Sequence, residues 1–158
     1  MGFRMSDDTR HFFRFLTEGQ PGNRFDTLFD AYYLCLMAGL IRKRPGKESG
    51  AEFVQQFPEK FYNQRFQLIA LLVSSELALQ GVNVARSVVS EQERVNVERE
   101  VLRMVNHQDP TQLSTAGLSL MNSYADGGAQ LMREHWKEEP RVLHAFLVEY
   151  HRWVGQEA

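Results

Sequence analysis

The sequence predicts an all-α protein, built as one irregular bundle of about six helices around a central apolar helix. Apolar residues recur three and four positions apart along most of the 158 residues, which is the period of a helix with one buried face. Gly and Pro stand where those patterns end. The β-branched stretch 82–89 is too isolated to predict a sheet, so we expect a connector there. The length and composition fit a single domain over residues 1–158.

Two helices are predicted before residue 40. Ser6 is a good N-cap for the first, because its hydroxyl can accept a backbone N–H, and Asp7 and Asp8 favour the positive end of the dipole. The segment 20–22, Gln-Pro-Gly, ends that helix. The second runs from about 25 to 38, and we expect Gly39 to be the left-handed residue that follows it.

A third helix is predicted to begin at Pro58 and to continue to Gly81. Proline is accepted in the first turn of a helix because its missing N–H would have no partner there. Residues 66–79 are apolar on most sides of this helix. Since helices of that composition are normally surrounded by others, we expect it to be the central element of the bundle.

Two more helical stretches are predicted between residues 90 and 136. Ser90 and Glu93 form a capping-box pattern that opens a helix ending near His107. The stretch 113–136 contains Gly127-Gly128, which either kinks it or divides it into two helices, and the sequence leaves both alternatives open.

A last helix is predicted between Pro140 and Gly155. Its apolar residues repeat at helical spacing more regularly than anywhere else in the chain. They are Leu143, Phe146, Leu147, Tyr150 and Val154.

Charge and cysteine usage restrict the functions that the chain supports. A formal net charge of −2 argues against a nucleic-acid or membrane-surface field over the whole molecule, so any basic site must be local. The single cysteine, Cys35, lies in an apolar helical run and predicts a reduced, cytoplasmic protein. The longest apolar run, 68–73, is far short of the roughly 20 residues that span a bilayer, and residues 1–9 lack a secretory pattern. We therefore expect neither export nor a membrane span.

The sequence contains no recognisable catalytic or metal-binding pattern. The five histidines never show a zinc or di-iron spacing, so no metal and no cofactor is predicted. Glu98 and Glu100 are interpreted as part of a solvated face, because neighbours two apart point to different sides of a helix. An enzyme is therefore less expected than a binding protein. For a site in the bundle interior, the first residues to consider are His144, His151, Tyr150 and Tyr124.

The segment 42–50 is basic, polar and rich in Gly and Pro, which predicts an exposed loop. Each of its cations could neutralise a phosphate of a nucleic acid, with a further cation shortly before it in the chain. The alternative is that basic residues simply follow a helix C-terminus, where the dipole favours them. The candidate nucleic-acid-binding residues are Arg24, Arg42, Lys43, Arg44 and Lys47.

Aromatic residues are frequent, with eleven Phe, five Tyr and two Trp. The run 12–15 places rings on more than one side of a short first helix, so some rings are expected to remain exposed. Exposed aromatic patches commonly bind partner proteins. The alternative is an aromatic-rich core. The candidate partner-binding residues are Phe12, Phe13 and Phe15.

Two segments carry a resemblance to a known class of proteins. The first is FDTLFDAYYLCLMAGL at 25–40 with the basic loop after it, and the second is 113–128, which contains LSTAG and YADGG. They resemble small accessory proteins encoded with bacterial multi-component phage-defence systems, including those associated with DNA phosphorothioation. The resemblance implies a subunit that works inside a larger complex alongside an ATPase or a nuclease, and it assigns no catalytic or binding residue.

Three functional hypotheses result. The leading one is a cytoplasmic accessory or adaptor subunit in bacterial anti-phage defence, which docks a larger protein partner through aromatic helix faces. The second is a nucleic-acid-binding subunit that uses the basic loop. The third is a small-molecule-binding protein or enzyme with a site in the bundle interior. The oligomeric state is left open.

Overall fold

The structure, a computed structural model, describes residues 2–81, 90–109 and 111–156. These residues form seven α-helices, one 3₁₀ helix and a two-stranded sheet. The predicted connector 82–89 lies outside the described residues. The elements are, in chain order, β1 (Phe3–Met5), α1 (Asp7–Phe12), α2 (Arg14–Thr17), α3 (Leu28–Arg42), β2 (Ala51–Val54), the 3₁₀ helix (Glu59–Gln64), α4 (Arg65–Leu79), α5 (Glu91–Met104), α6 (Thr115–His135) and α7 (Leu143–Val154).

The fold is mainly a helical bundle, but the two strands show that it is not all-α. β1 pairs antiparallel with β2, with Arg4 opposite Glu52. Phe3 and Met5 on either side of Arg4 are buried in the core. The all-α prediction is wrong for these strands, because the pairing joins two short segments that are far apart in sequence and that show no strand pattern of their own.

The centre of the bundle is formed by α3 and α6, whose backbones touch. A Cβ atom on Gly128 would overlap the carbonyl oxygen of Cys35 and lie 2.7 Å from the nitrogen of Gly39. A Cβ atom on Gly39 would overlap the carbonyl oxygen of Tyr124. The central helix of the bundle is therefore α3, packed against α6, so the prediction that the helix over 58–81 is central is wrong.

The helix that was expected at the centre lies at the edge of the described structure. After Pro58 the chain first forms the 3₁₀ helix and then α4. Leu68 and Leu72 of α4 face the core, whereas Phe66 and Leu71 are 49% and 40% exposed. The apolar composition of α4 was correctly recognised, but within the described residues other helices cover only one side of it.

Gly39 and Gly127-Gly128 serve helix contact rather than helix termination. Gly81, with φ 85°, and Gly155 instead follow the ends of α4 and α7, as predicted. Gly39 lies inside α3, which continues to Arg42, so the predicted helix end at Gly39 is wrong. Gly127-Gly128 lies inside the uninterrupted helix α6, so the alternative of two separate helices is wrong. Both errors arise because a glycine needed for close packing looks, in sequence, like a glycine that ends a helix.

Helix starts with a capping side chain are confirmed. The hydroxyls of Ser6 and Ser90 each accept the backbone N–H three residues further on. Other boundaries are less accurate, since α5 ends at Met104, slightly before the predicted end, and α7 begins at Leu143 rather than at Pro140.

We predict that Gly128→Ala destabilises the protein, although alanine has the higher helix propensity. In an open helix this change stabilises by about 0.5–1 kcal/mol. Here the added methyl group must separate α6 from α3, and we expect the free energy of unfolding to fall by about 3 kcal/mol, at the upper end of overpacking costs. Urea unfolding followed by circular dichroism measures the effect.

Gly155→Ala is the matched control, because a Cβ at Gly155 would lie 3.3 Å from the His151 carbonyl oxygen, a contact that a shift of a few tenths of an ångström relieves, with no other helix of the described residues packed against it there. This control should change the free energy of unfolding by less than about 0.5 kcal/mol. Equal unfolding free energies for the two variants would contradict the backbone contact at Gly128.

Candidate functional site

The basic loop begins with a defined helix end. The N–H of Lys43 donates to the carbonyl of Leu40 (3.2 Å), and the N–H of Arg44 donates to that of Gly39 (2.9 Å). These bonds form a Schellman-type end to α3, in which Lys43 takes the left-handed position with φ 51°. A residue with a Cβ atom pays about 1 kcal/mol in that conformation relative to glycine. The left-handed residue after this helix is therefore Lys43, and the prediction of Gly39 for that position is wrong.

The next part of the loop lies directly on α6. The N–H of Gly46 donates to the carbonyl of Ser123 (2.7 Å), and the N–H of Lys47 donates to the Asp126 carboxylate (3.0 Å). Gly127 allows this approach, because a Cβ atom there would overlap the carbonyl oxygen of Arg44. The backbone of the loop is therefore fixed by α6.

Asn122 of α6 joins the end of the loop to the N-terminal strand. Its Oδ1 accepts from the N–H of Arg4 (3.0 Å) and from the hydroxyl of Tyr32 (2.7 Å). Its Nδ2 donates to the carbonyl of Gly2 (3.1 Å) and to the Glu48 carboxylate (2.8 Å). Burial is the main reason that the pKa of Tyr32 lies well above its ordinary value, so this hydroxyl stays protonated and donates. The sequence did not predict this role for Asn122. The one indication of it was an amide side chain on an otherwise apolar face of the helix.

Three of the five candidate nucleic-acid-binding cations form one exposed group. Lys43, Arg44 and Lys47 are exposed, and none of them has an ion-pair partner among the described residues. Arg42 is half-buried instead: its guanidinium donates to the carbonyl of Trp153 (2.9 Å) and lies 5.3 Å from the centroid of that ring. Arg42 therefore joins α3 to α7, and its buried Nε has no hydrogen-bond partner.

The fifth candidate cation, Arg24, lies far from this group. It precedes the N-terminal end of α3, and the 15 residues of that helix separate it from the loop by about 22 Å. Arg24 lines an open cleft of about 400 Å³ with Lys60 and Leu143. Arg65 does not extend the loop group either, because it is only 5% exposed and donates to the carbonyl of Tyr62.

The aromatic run 12–15 lies mainly in the core. Phe12 is 5% exposed and Phe13 is fully buried. The chain turns at Phe13, between α1 and α2, and this turn lets the rings of Phe12 and Phe13 both point into the core. Phe15 is partly buried, with the guanidinium groups of Arg14 and Arg141 at 4.5 and 4.2 Å from its centroid. The expectation of exposed rings is therefore wrong for Phe12 and Phe13. Both belong to an aromatic-rich core, which was the alternative interpretation.

The residues named for an interior site have separate structural roles. The hydroxyl of Tyr124 donates to Glu76 (2.8 Å), and that of Tyr150 donates to the carbonyl of Leu34 (2.7 Å). Burial is the main reason that the pKa of each tyrosine is raised, so both remain neutral donors. The other two residues, His144 and His151, are exposed on α7.

A charged cluster between α4 and α5 is the polar feature that the sequence analysis misinterpreted. Glu100 is only 6% exposed and accepts from Gln80 (3.0 Å) and Arg103 (2.7 Å), and Arg103 also pairs with Glu76 at 3.6 Å. Burial alone raises the pKa of Glu100, but these hydrogen bonds and the charge of Arg103 outweigh it and hold that pKa below its usual value. Glu100 therefore does not belong to a solvated face; its position four residues before the buried Met104 was the available signal.

Comparisons with known proteins assign no family to the chain. Protein-family models, curated proteins and solved structures contain no match to the chain. Of the helices that the structure describes, none is long and apolar enough to cross a membrane. Within residues 2–81, 90–109 and 111–156, no three His, Cys, Asp or Glu residues gather closely enough to hold a metal ion. The most distinctive surface feature among the described residues is the exposed cationic loop, whose backbone is held by α6.

We expect Glu100 to contribute to the acid sensitivity of folding. Because its pKa is lowered in the folded state, its stabilisation is present above the unfolded value of about 4.3 and is lost as the pH falls through the lower folded value. Glu100→Gln should lower the free energy of unfolding by about 1–3 kcal/mol at pH 7. Between pH 5 and pH 3, the variant should lose less stability than the wild type.

Urea unfolding at a series of pH values measures this, and Glu98→Gln on the exposed side of α5 is the matched control. If Glu100→Gln and Glu98→Gln both keep the wild-type pH profile, the lowered pKa of Glu100 makes no contribution to stability.

Proposed function

We propose that the protein is an accessory subunit that binds the phosphate backbone of a nucleic acid through the loop 43–50. The observation that carries the proposal is the exposed group Lys43, Arg44 and Lys47, which has no ion-pair partner among the described residues. Unpaired Lys and Arg side chains bind backbone phosphates by releasing condensed counterions. Because α6 already fixes the loop backbone, little further ordering is needed when a ligand binds.

The conformation of Lys43 supports the same proposal. The left-handed position at a helix end is normally occupied by glycine. Among the described residues other than glycine, Lys43 is the one with a positive φ. Unfavourable conformations of this kind are often retained at functional sites. Lysine is less stable than glycine in this conformation, but it places a cation at the end of α3.

The small number of cations sets the expected mode of binding. Three phosphate contacts give weak, salt-sensitive association without base recognition. The net charge of −2 provides no wider attraction for nucleic acid. These properties suit a subunit that shares the nucleic acid with a larger partner. The resemblance to phage-defence accessory proteins suggests the setting, a bacterial defence complex that contains an ATPase or a nuclease.

We predict that the triple variant Lys43→Gly, Arg44→Gln and Lys47→Gln binds DNA or RNA at least tenfold more weakly than the wild type at low salt. The slope of log K against log salt should become shallower by about 3, since each lost phosphate contact contributes about 0.9 on a duplex. Fluorescence anisotropy with a labelled duplex and a labelled single strand measures both. The fold should be retained, because Lys43→Gly relieves the left-handed conformation.

The matched control removes the same charge elsewhere, at Arg24, Arg94 and Lys137, each changed to Gln. All three are exposed and lie outside the loop. If the control weakens binding as much as the loop variant does, or if the salt slope of the loop variant is unchanged, loop binding is excluded.

A second candidate function is an adaptor that docks a larger protein through α5. Val95 and Leu102 are 44% and 60% exposed and lie two helical turns apart on the same face. Exposed charges at Arg94 and Glu98 flank them. An apolar stripe with charged margins is typical of helices that bind in the groove of a partner. This surface, rather than Phe12 and Phe13, now supports the adaptor hypothesis.

We predict that Val95→Gln combined with Leu102→Gln reduces recovery of a protein partner at least tenfold in a pull-down at native expression. Mass spectrometry identifies the co-purifying proteins, and nucleic acid is assayed in the same eluate. Val148→Gln is the control, because Val148 is 50% exposed on α7. A partner that binds the double variant as well as the wild type shows that α5 is not the docking helix.

A further inference from the structure

A cleft of about 400 Å³ opens between α3, the 3₁₀ helix and α7. This volume lies within the range of roughly 300–1,000 Å³ that small-molecule sites occupy. The rings of Phe25 and Phe61, which are both buried, line the cleft. Its other apolar residues are half-buried and come from α3 and α7: Tyr33, Leu34, Leu143 and Leu147. The cleft is therefore a concave surface made by several elements rather than one exposed helix face.

Side-chain contacts hold the walls of the cleft in place. The ring centroid of Tyr33 in α3 lies 5.2 Å from that of Phe61 in the 3₁₀ helix. At the other wall, the side chain of Asn23 accepts from the N–H of Leu143 (2.8 Å) and donates to the carbonyl of Arg141 (2.9 Å). These contacts position the start of α7 against the segment that precedes α3. The cleft is thus formed before a ligand arrives, so binding requires little ordering of the protein.

Two polar groups in the cleft have no partner among the described residues. Arg24 is exposed and forms neither an ion pair nor a hydrogen bond there. The hydroxyl of Tyr33 likewise forms no hydrogen bond with the described residues, although the side chain is half-buried. Both groups donate hydrogen bonds, and the guanidinium of Arg24 also carries a charge. They are the groups of the cleft that remain available to a ligand.

The carboxylates in the cleft are already compensated. The ammonium of Lys60 donates to Asp30 (2.8 Å) and to Asp26 (3.5 Å). Asp30 also accepts from the N–H of Thr27 (2.9 Å), at the positive end of the α3 dipole. The hydrogen bond to Asp30 is the main reason that the pKa of Lys60 is raised, so this ammonium stays charged. Arg24 is therefore the charged group of the cleft that still lacks a counter-charge.

We propose that the cleft binds a small molecule that carries one anionic group, a carboxylate or a sulfonate, on an aromatic body. The aromatic body packs on the rings of Tyr33 and Phe61, as ring pairs in proteins do. The anionic group accepts from Arg24, whose planar guanidinium matches two oxygens of such a group. Asp26 and Asp30 line the same cleft and repel further negative charge, so the site disfavours polyphosphates and nucleic acids.

Fluorescence titration of the full chain with anilinonaphthalene sulfonate tests the proposal, because this probe is an aromatic monoanion that brightens in apolar sites. The wild type should bind it saturably. Arg24→Gln should weaken binding about tenfold, since a charge-assisted hydrogen bond is lost. The uncharged analogue phenylnaphthylamine has the same rings without the sulfonate, and Arg24→Gln should leave its affinity unchanged.

Two exposed positions locate the bound probe. Gln64→Glu places a carboxylate in the cleft and should weaken binding of the sulfonate more than binding of phenylnaphthylamine. Gln67→Glu, the same change on α4 outside the cleft, is the matched control and should alter neither affinity. Leu71→Gln tests the exposed apolar side of α4 as an alternative location and should also have no effect.

Three results would overturn the proposal. They are a wild type that does not saturate below about 1 mM probe, an Arg24→Gln variant that binds the sulfonate as the wild type does, and a loss of binding in Leu71→Gln. Circular dichroism confirms that each variant is folded. The proposal does not depend on nucleic-acid binding, because the loop triple variant leaves the cleft unchanged and should bind the probe as the wild type does.

Discussion

The backbone contact between α3 and α6 is the constraint on which the rest of the structure depends. Gly39 and Gly128 bring the two helices so close that neither position accepts a Cβ atom. Helices in such contact cannot shift without opening the core around them, so segments attached to them inherit fixed positions. The strand β1 is attached to α6 through Asn122, the basic loop through Gly127, and α7 is attached to α3 through Arg42.

Hydrogen bonds to α6 hold the loop backbone and leave its exposed cations without an ion-pair partner among the described residues. Burying a polar group is costly unless it is paired, and the loop backbone finds its partners on α6 at Ser123 and Asp126. The side chains of Lys43, Arg44 and Lys47 take no part in this pairing. The structural work of the loop is done by its backbone and by Glu48, so its charge can be altered with little effect on the fold.

Local features were predictable from the sequence, and features that depend on distant contacts were not. Ser6 and the basic loop follow rules that need only neighbouring residues, and both are found where they were predicted. Gly39 was misassigned because its role is set by α6, far along the chain. Within the candidate site, the exposure of Lys43 could be predicted, but the inward direction of Arg42 could not, because its partner Trp153 lies on another helix.

The misplacement of α4 in the sequence-based prediction has a physical explanation. A hydrophobic pattern reports which side chains gain from leaving water, but roughly 55–60% of a folded protein's accessible surface is still apolar, so composition alone does not decide which helix is surrounded. Residues 66–79 have the composition of a surrounded helix, whereas the described residues of one chain cover only one of its sides. Composition therefore could not distinguish α4 from α3, whose central position is set by the backbone contacts that Gly39 and Gly128 allow between it and α6.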